Sequence, residues 1–234
     1  MDKKINWQYE EFQQVGKDYG RPEEVAVYDD SHAEFREVDA ENQAILDELE
    51  LRAGAVLVDL GCGTGAFAVQ AAPYCRHVHA VDVSEAMLMY ARDKAKHAGV
   101  TNIAFHHAGF LTYLHEEAAV DAIVTTFALH HLPDFWKGIA LQRMHRLLKP
   151  GGKLFLRDVV IPEHNALQHI AGFIAKQAEA GGDFLREDAE AHFREEYSTY
   201  DWIMDGLLFR AGFTIDTKCI QEGVLATYKC TRKR

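Results

Sequence analysis

One stretch constrains this chain more than any other: Val56-Leu57-Val58-Asp59-Leu60-Gly61-Cys62-Gly63-Thr64-Gly65-Ala66. The short apolar run 55–60 reads as a buried strand. Glycines at every second position from 61 to 65 let the backbone turn sharply and approach a ligand closely. Residues 66–72 then read as a helix that stops at Pro73. The next apolar run, 77–83, reads as a second strand and carries Asp82, 21 residues beyond Gly61. A carboxylate there can accept hydrogen bonds from both ribose hydroxyls of an adenosine. The spacing therefore predicts a strand–glycine turn–helix–strand unit that holds its ligand at the carboxyl edge of a sheet.

The rest of the chain continues the alternation. Ser84 reads as the cap of a helix closed by Gly99, and strands are expected at 103–106 and 120–126. A helix over 134–148 ends at Lys149-Pro150-Gly151-Gly152, and a fifth strand is expected at 153–160. Alternating strands and helices imply parallel pairing with right-handed crossovers. Residues 161–197 read as mostly helical and polar. Ser198 reads as the cap of a helix ending at Ala211-Gly212, and strands 213–220 and 223–230 form a hairpin around Gln221-Glu222. Ahead of the first strand, Ile5, Tyr9, Phe12 and Val15 recur at roughly helical spacing. Ser31 with Glu34 resembles a capping box, and Ile45, Leu46 and Leu49 mark a helix that Gly54 would stop. The fold class expected is α/β: a Rossmann-like, seven-stranded, mostly parallel sheet flanked by helices. Its last strand is antiparallel, and the N-terminal and post-strand-five segments are helical. All 234 residues form one domain in this reading, divided into a helical extension (1–54), a cofactor-binding core (55–160), a helical substrate cover (161–197) and the end of the sheet (198–234).

Composition narrows the partners. The formal net charge of −11 opposes nonspecific attraction to phosphates, and the basic tail Lys229, Arg232, Lys233, Arg234 is too short for a groove. No nucleic-acid partner is expected. No apolar stretch reaches the length of a membrane span, and the N-terminus lacks the apolar run of a signal peptide. A cytoplasmic protein without membrane contact is the expectation. Cys62, Cys75, Cys219 and Cys230 form no CxxC pair. His77-x-His79 is a weak metal signal alone, and the adjacent His106 and His107 point to opposite faces of a strand, so no metal is expected.

Gly61-x-Gly63-x-x-Ala66 also fits a dinucleotide fingerprint, which keeps an NAD-dependent oxidoreductase open. Three features favour another ligand. Asp59 would repel a pyrophosphate yet welcome an ammonium group. Glycine recurs at 61, 63 and 65. An extended helical segment precedes the first strand. With these in view, the chain resembles the class I S-adenosylmethionine-dependent methyltransferases. Val58–Gly65 resembles their first motif, and Ala80–Ser84 with Met87-Leu88 their second. Asp121–Val124 through Leu129-His130-His131-Leu132 resembles the fourth-strand motif. Leu147–Gly152 resembles the turn before strand five, and Ala211-Gly212-Phe213 the entry into strand six.

The resemblance implies S-adenosylmethionine as cofactor and methyl transfer to a small-molecule acceptor, with a non-catalytic cofactor-binding module as a further alternative. It implies cofactor contacts from Asp59 near the methionine end, Gly61, Cys62, Gly63 and Gly65 in the loop, Asp82 and Val83 at the ribose, and Met87 at the adenine. Gly109, Phe110, Thr126 and Phe127 complete the set with Tyr28. Many members carry an acid after the strand-three glycine; here Phe110 stands in that place. His131 and Asp158 are the candidate general bases, with His130 and His164 nearby. Tyr28 and the segment His164 to Phe184, with Ile170, Phe173 and Ile174, are expected to cover the acceptor.

Overall fold

A computed structural model describes residues 6–13, 15–16, 25, 37–115 and 119–233. Tyr28 and the Ser31–Glu34 capping box lie outside them. The helical elements in chain order are α1 (Val38–Leu49), α2 (Ala66–Ala71), α3 (Glu85–His97), α4 (Asp134–Leu147), α5 (Ala166–Glu195) and α6 (Asp201–Ala211). The strands are β1 (Val56–Leu60), β2 (His77–Asp82), β3 (Ile103–His107), β4 (Val120–Thr126), β5 (Leu148–Ile161), β6 (Thr199–Tyr200), β7 (Phe213–Gln221) and β8 (Leu225–Arg232). The main path of the sheet runs β3-β2-β1-β4-β5-β8-β7, and β6 pairs with β5 off this path. Pairing is parallel from β3 to β5, and β8 is antiparallel to both neighbours. The expected seven-stranded Rossmann-like order is therefore present, with β6 as an added two-residue strand.

All five residues of β1 are buried, as a strand covered on both faces requires. Successive side chains alternate between two apolar layers. Val56, Val58 and Leu60 pack with α4 and α6 residues such as Leu141, Met144, Met204 and Leu208. Leu57 packs on the other face with Ile45, Leu46 and Leu49 of α1, Phe67 and Ala68 of α2, and Leu88 of α3. Ser84 caps α3 as expected, its Oγ accepting from the Met87 N–H at 3.1 Å. The β7–β8 connection has Glu222 and Gly223 both at positive φ, 51° and 76°, the pairing that matches the twist of a tight hairpin.

Three local expectations are corrected. Residues 6–13 form turns and bends, not a helix. Their apolar side chains serve different neighbours: Tyr9 packs edge-on against Tyr197, and Phe12 against His107. Helix α1 stops at Leu49, with Glu50 in the left-handed region, so Gly54 is not its stop. Ser198 does not cap α6. Thr199-Tyr200 pair with Val160-Ile161, which keeps the chain extended, and Tyr200 takes the N-cap position without a side-chain bond. In addition, the segment 148–152 is absorbed into β5, with a register shift opposite Val120–Ala122. The long helix α5 is broken by non-helical geometry at Gly181 and Gly182.

Candidate active site at the carboxyl edge of the sheet

The glycine loop leaves β1 and is fixed before any ligand enters. The Gly61 and Cys62 N–H groups both donate to the Val81 carbonyl, at 2.8 and 3.0 Å, which ties the loop to β2. Gly61, Gly63 and Gly65 all sit at positive φ, a region that side chains other than glycine rarely adopt. Their roles differ. A Cβ on Gly61 would stand 2.3 Å from the Ala128 Cβ, and one on Gly65 would stand 2.7 Å from the Ala91 Cβ, so both are packing glycines. A Cβ on Gly63 would meet nothing within 4 Å; that glycine opens onto a cavity.

The cavity has a volume of about 820 Å³, near the upper end of the range for small-molecule sites. At one end lie Gly61, Gly63, Asp82, Val83, Met87, Gly109 and Phe110. Thr126, Phe127 and Ala128 form its middle. The far end is built from His130, His131, His192 and Glu196, roofed by Phe173, Phe184 and Leu185 of α5. Of the sequence-derived residues, Asp59, Cys62, Gly65, Asp158, Ile170 and Ile174 do not line it, and neither does the exposed His164. Asp82 accepts from Gly63 N–H through Oδ2 and from Ser84 N–H through Oδ1, both at 2.8 Å. Burial pushes its carboxyl above the usual range against those two bonds. Asp59 is 2% exposed, and its Oδ2 has no hydrogen-bond partner among the described residues. Burial, reinforced by repulsion from Asp82, pushes it up to about 8. An unpartnered buried carboxyl beside a second one is an unmet demand for positive charge.

Two wall residues have no counterpart in the sequence expectations. Glu11 arrives from the N-terminal segment, accepts from Leu111 N–H and from Thr112 Oγ1 (2.7 Å), and lies so close to Gly109 that a Cβ there would be 2.4 Å from its carboxylate. A carboxylate thus sits beside Gly109 although Phe110 follows it. Burial raises the Glu11 carboxyl. Arg157 reaches Glu41 at 2.8 Å and stands over the Phe127 ring. Its partner is therefore α1, not the adjacent Asp158. Phe127 is held at φ 52°, its N–H donating to the Arg157 carbonyl at 2.8 Å. That left-handed geometry is strained for a bulky residue and aims the turn after β4 along the cavity.

The far end is a connected polar chain. Asp158 on β5 is fully buried; its Oδ1 pairs with His130 Nδ1 at 2.5 Å, while His130 N–H and Val159 N–H donate to its oxygens. Burial opposes charge on both partners, yet their mutual attraction holds the His130 imidazole above and the Asp158 carboxyl below the ordinary ranges. On its other side His130 Nε2 lies 3.2 Å from Glu196 Oε2, which also contacts His192 Nδ1. His192 Nε2 is 2.8 Å from Ser198 Oγ. Burial and the neighbouring His130 push His131 down to about 4, so it is neutral at pH 7. Sequence reasoning reached His130, His131 and Asp158 but missed His192 and Glu196, whose four-residue spacing puts both on one helical face.

The family model described as a methyltransferase domain matches residues 57–152. An uncharacterized methyltransferase of Geobacillus sp. (strain WCH70) is 31% identical over 191 residues, which is 82% of this chain and 83% of that protein. A demethylmenaquinone methyltransferase of Shouchella clausii is 26% identical, covering 70% of this chain and 67% of its own. Among solved structures, the N-methyltransferase NodS of Bradyrhizobium japonicum WM9 in complex with S-adenosyl-L-homocysteine superposes with a TM-score of 0.65. It has 18% identity and covers 91% of this chain and 96% of that one.

Proposed function

Because this chain belongs to the class I S-adenosylmethionine-dependent methyltransferases and takes S-adenosylmethionine as its methyl donor, we propose that it methylates a small molecule held at the histidine end of its cavity. The observation that carries this reading is a single cavity of about 820 Å³ lined both by Gly63 and Asp82 and by His130, His131 and the α5 residues Phe173 and Phe184. A donor bound at the glycine loop leaves that far end for a second, compact molecule. The demethylmenaquinone methyltransferase, a relative, bears the name of a small-molecule acceptor.

The residues present suit the donor. Asp82 has lone pairs left for the ribose hydroxyls, and Gly63 leaves the backbone open to close approach. Met87 and Val83 offer apolar contact to an adenine, and Glu11 supplies a carboxylate at the Gly109 end. Asp59, buried and unpartnered, suits the cationic methionine moiety across the loop. The sulfonium is itself an activated methyl donor. The protein's part is to align the acceptor behind the methyl and exclude water, an effect worth about 7–11 kcal/mol of barrier. In this assignment Asp158 cannot act as a base, since its oxygens are committed to His130 and to two backbone N–H groups; it positions His130. Neutral His131 is the residue we assign to meet the acceptor. The helical segment 161–197 covers the acceptor, and the acidic charge of the chain argues against a nucleic-acid acceptor. Incubation with methyl-labelled S-adenosylmethionine, a metabolite panel and total RNA tests the proposal. Label in a small molecule is the expected result, and label in RNA alone would overturn it.

Asp59 gives the donor reading a pH signature. Its carboxyl is raised in the folded protein to about 8, against roughly 3.9 in an unfolded chain. The folded chain therefore holds the extra proton, and this contribution to stability is full at low pH and lost as pH rises through about 8. Binding a cationic donor favours the carboxylate and expels that proton. Affinity for S-adenosylmethionine should accordingly climb by up to ~10-fold per pH unit between pH 6 and 8, then level off. Calorimetry in buffers of different ionisation enthalpy should register proton release that vanishes in Asp59→Asn. A flat affinity profile without proton release would remove Asp59 from the site.

A further inference from the structure

We propose that His130, His192 and Glu196 form a site for a divalent transition metal of the zinc type at the histidine end of the cavity. The inference rests on the proposed function only in identifying that end as the acceptor's. The ion-binding geometry stands by itself.

The three residues come from two distant parts of the chain. His130 lies in the short turn after β4, His192 in the last turn of α5, and Glu196 at the cap of that helix. Each offers one ligand atom, and the three atoms lie within 4.8 Å of one another. Glu196 Oε2 stands 3.2 Å from His130 Nε2 and also contacts His192 Nδ1. Ligands about 2.0–2.1 Å from a tetrahedral zinc are separated by roughly 3.3 Å, so small side-chain movements admit the ion. Two histidines and one glutamate match the donor set of open, catalytic zinc sites, which leave a position for water or substrate.

The outer groups point the same way. A metal-bound histidine ordinarily has its other ring nitrogen held by a carboxylate or hydroxyl, which fixes the free nitrogen toward the ion. Here Asp158 holds His130 Nδ1 at 2.5 Å, and Ser198 Oγ holds His192 Nε2 at 2.8 Å. Both outer partners are thus in place, and each faces the nitrogen that is not aimed at Glu196. The side chains of His130 and Glu196 are each 7% exposed, and the chain at Gly16 closes over Glu196 so tightly that a Cβ there would stand 2.2 Å from its Oε1. The His192 side chain is 17% exposed, and all three residues line the cavity, so an ion held there would be accessible to the acceptor. The acceptor class that fits carries an oxygen donor, such as a hydroxyl or an enol, which such an ion would anchor and make more acidic. Sequence reading expected no metal because it sought paired histidines in one strand or helix. A His–x–x–x–Glu turn completed by a histidine 62 residues earlier (130 against 192) has no local signal.

The test uses the full chain after chelator treatment, titrated with Zn²⁺ and with Co²⁺ while bound metal is counted per chain. One ion per chain is expected, with visible absorption bands for Co²⁺. His192→Ala and Glu196→Gln should each weaken Zn²⁺ binding by about 100-fold or more, and Asp158→Asn or Ser198→Ala by roughly 10–100-fold. Circular dichroism and affinity for S-adenosylhomocysteine are measured on every variant. Should His192→Ala or Glu196→Gln fail to fold, Ser198→Ala, which removes the hydroxyl bonded to His192 Nε2, decides. Retained S-adenosylhomocysteine affinity with lost metal separates this site from the donor site. Metal binding without any S-adenosylhomocysteine binding would sustain the metal site and sink the donor assignment. Absence of a stoichiometric ion, or Zn²⁺ affinity unchanged in folded variants, overturns the inference.

Discussion

Replacing Asp82 with alanine is expected to weaken binding of S-adenosylmethionine or S-adenosylhomocysteine by about 10²–10⁴-fold. Two charge-assisted hydrogen bonds to the ribose hydroxyls are at stake, each worth roughly 1.5–3 kcal/mol, and every 1.4 kcal/mol is about tenfold in affinity. The loss extends beyond the ligand. Asp82 also accepts the Gly63 and Ser84 N–H bonds, so its removal loosens the loop that must approach the donor. The fold itself should survive, because the carboxylate is a buried charge that burial already disfavours. Asp82 also repels Asp59, and its removal relieves that repulsion. Asp82→Asn, which keeps an acceptor oxygen without the charge, should lose less. Titration calorimetry on folded variants provides the check. Affinity for S-adenosylhomocysteine within about threefold of the parent in Asp82→Ala would detach Asp82 from the ribose.

The half of the site assigned to the donor was legible as geometry because its instructions are local. Gly61, Gly63 and Gly65 lie within five residues of one another, and their positive φ values are what glycine at those positions exists to supply. Asp82 lies one helix and one strand away, at a distance that the βαβ unit itself sets. The sheet was legible for the same reason: β1, β2 and β4 are short apolar runs punctuated by glycine, proline and helix caps. The far end of the cavity was half legible. His130 and Asp158 could each be proposed, but their pairing joins the ends of two adjacent strands, and neither residue carries a sign of it. This is why sequence alone makes Asp158 a candidate base, whereas its oxygens are committed to His130 and two backbone N–H groups. Glu11 was invisible: an acidic residue in a polar N-terminal segment looks solvated, and only the fold brings it beneath Leu111 and Gly109. The failure of the helix expected around Tyr9 and Phe12 has the same origin. Their periodic spacing reflects separate docking partners on a finished surface, which a count along the chain cannot distinguish from one apolar face.

That positioning pair makes the second large prediction. His130→Ala should destabilise the protein by about 3–5 kcal/mol, because it strips a buried carboxylate of its charged partner. Asp158 is 1% exposed and gains its remaining support from two backbone N–H groups, which places the expected loss toward the lower end of that range. Asp158→Asn in the parent also removes the attraction, but leaves no uncompensated charge and should be milder. The comparison that isolates the pair is the double variant His130→Ala with Asp158→Asn. Adding the asparagine to His130→Ala removes the stranded charge and should restore part of the lost stability, so the two changes combine to less than their sum. Denaturant unfolding of the four proteins, with chelator present so that bound metal does not contribute, measures each step. Methyl transfer supplies an independent readout, since a positioning role for Asp158 predicts activity that falls further than stability in Asp158→Asn. Strict additivity in the cycle, with His130→Ala costing less than about 1 kcal/mol, would mean that the short Asp158–His130 contact does not stabilise the fold and that the far end of the cavity is organised by other groups.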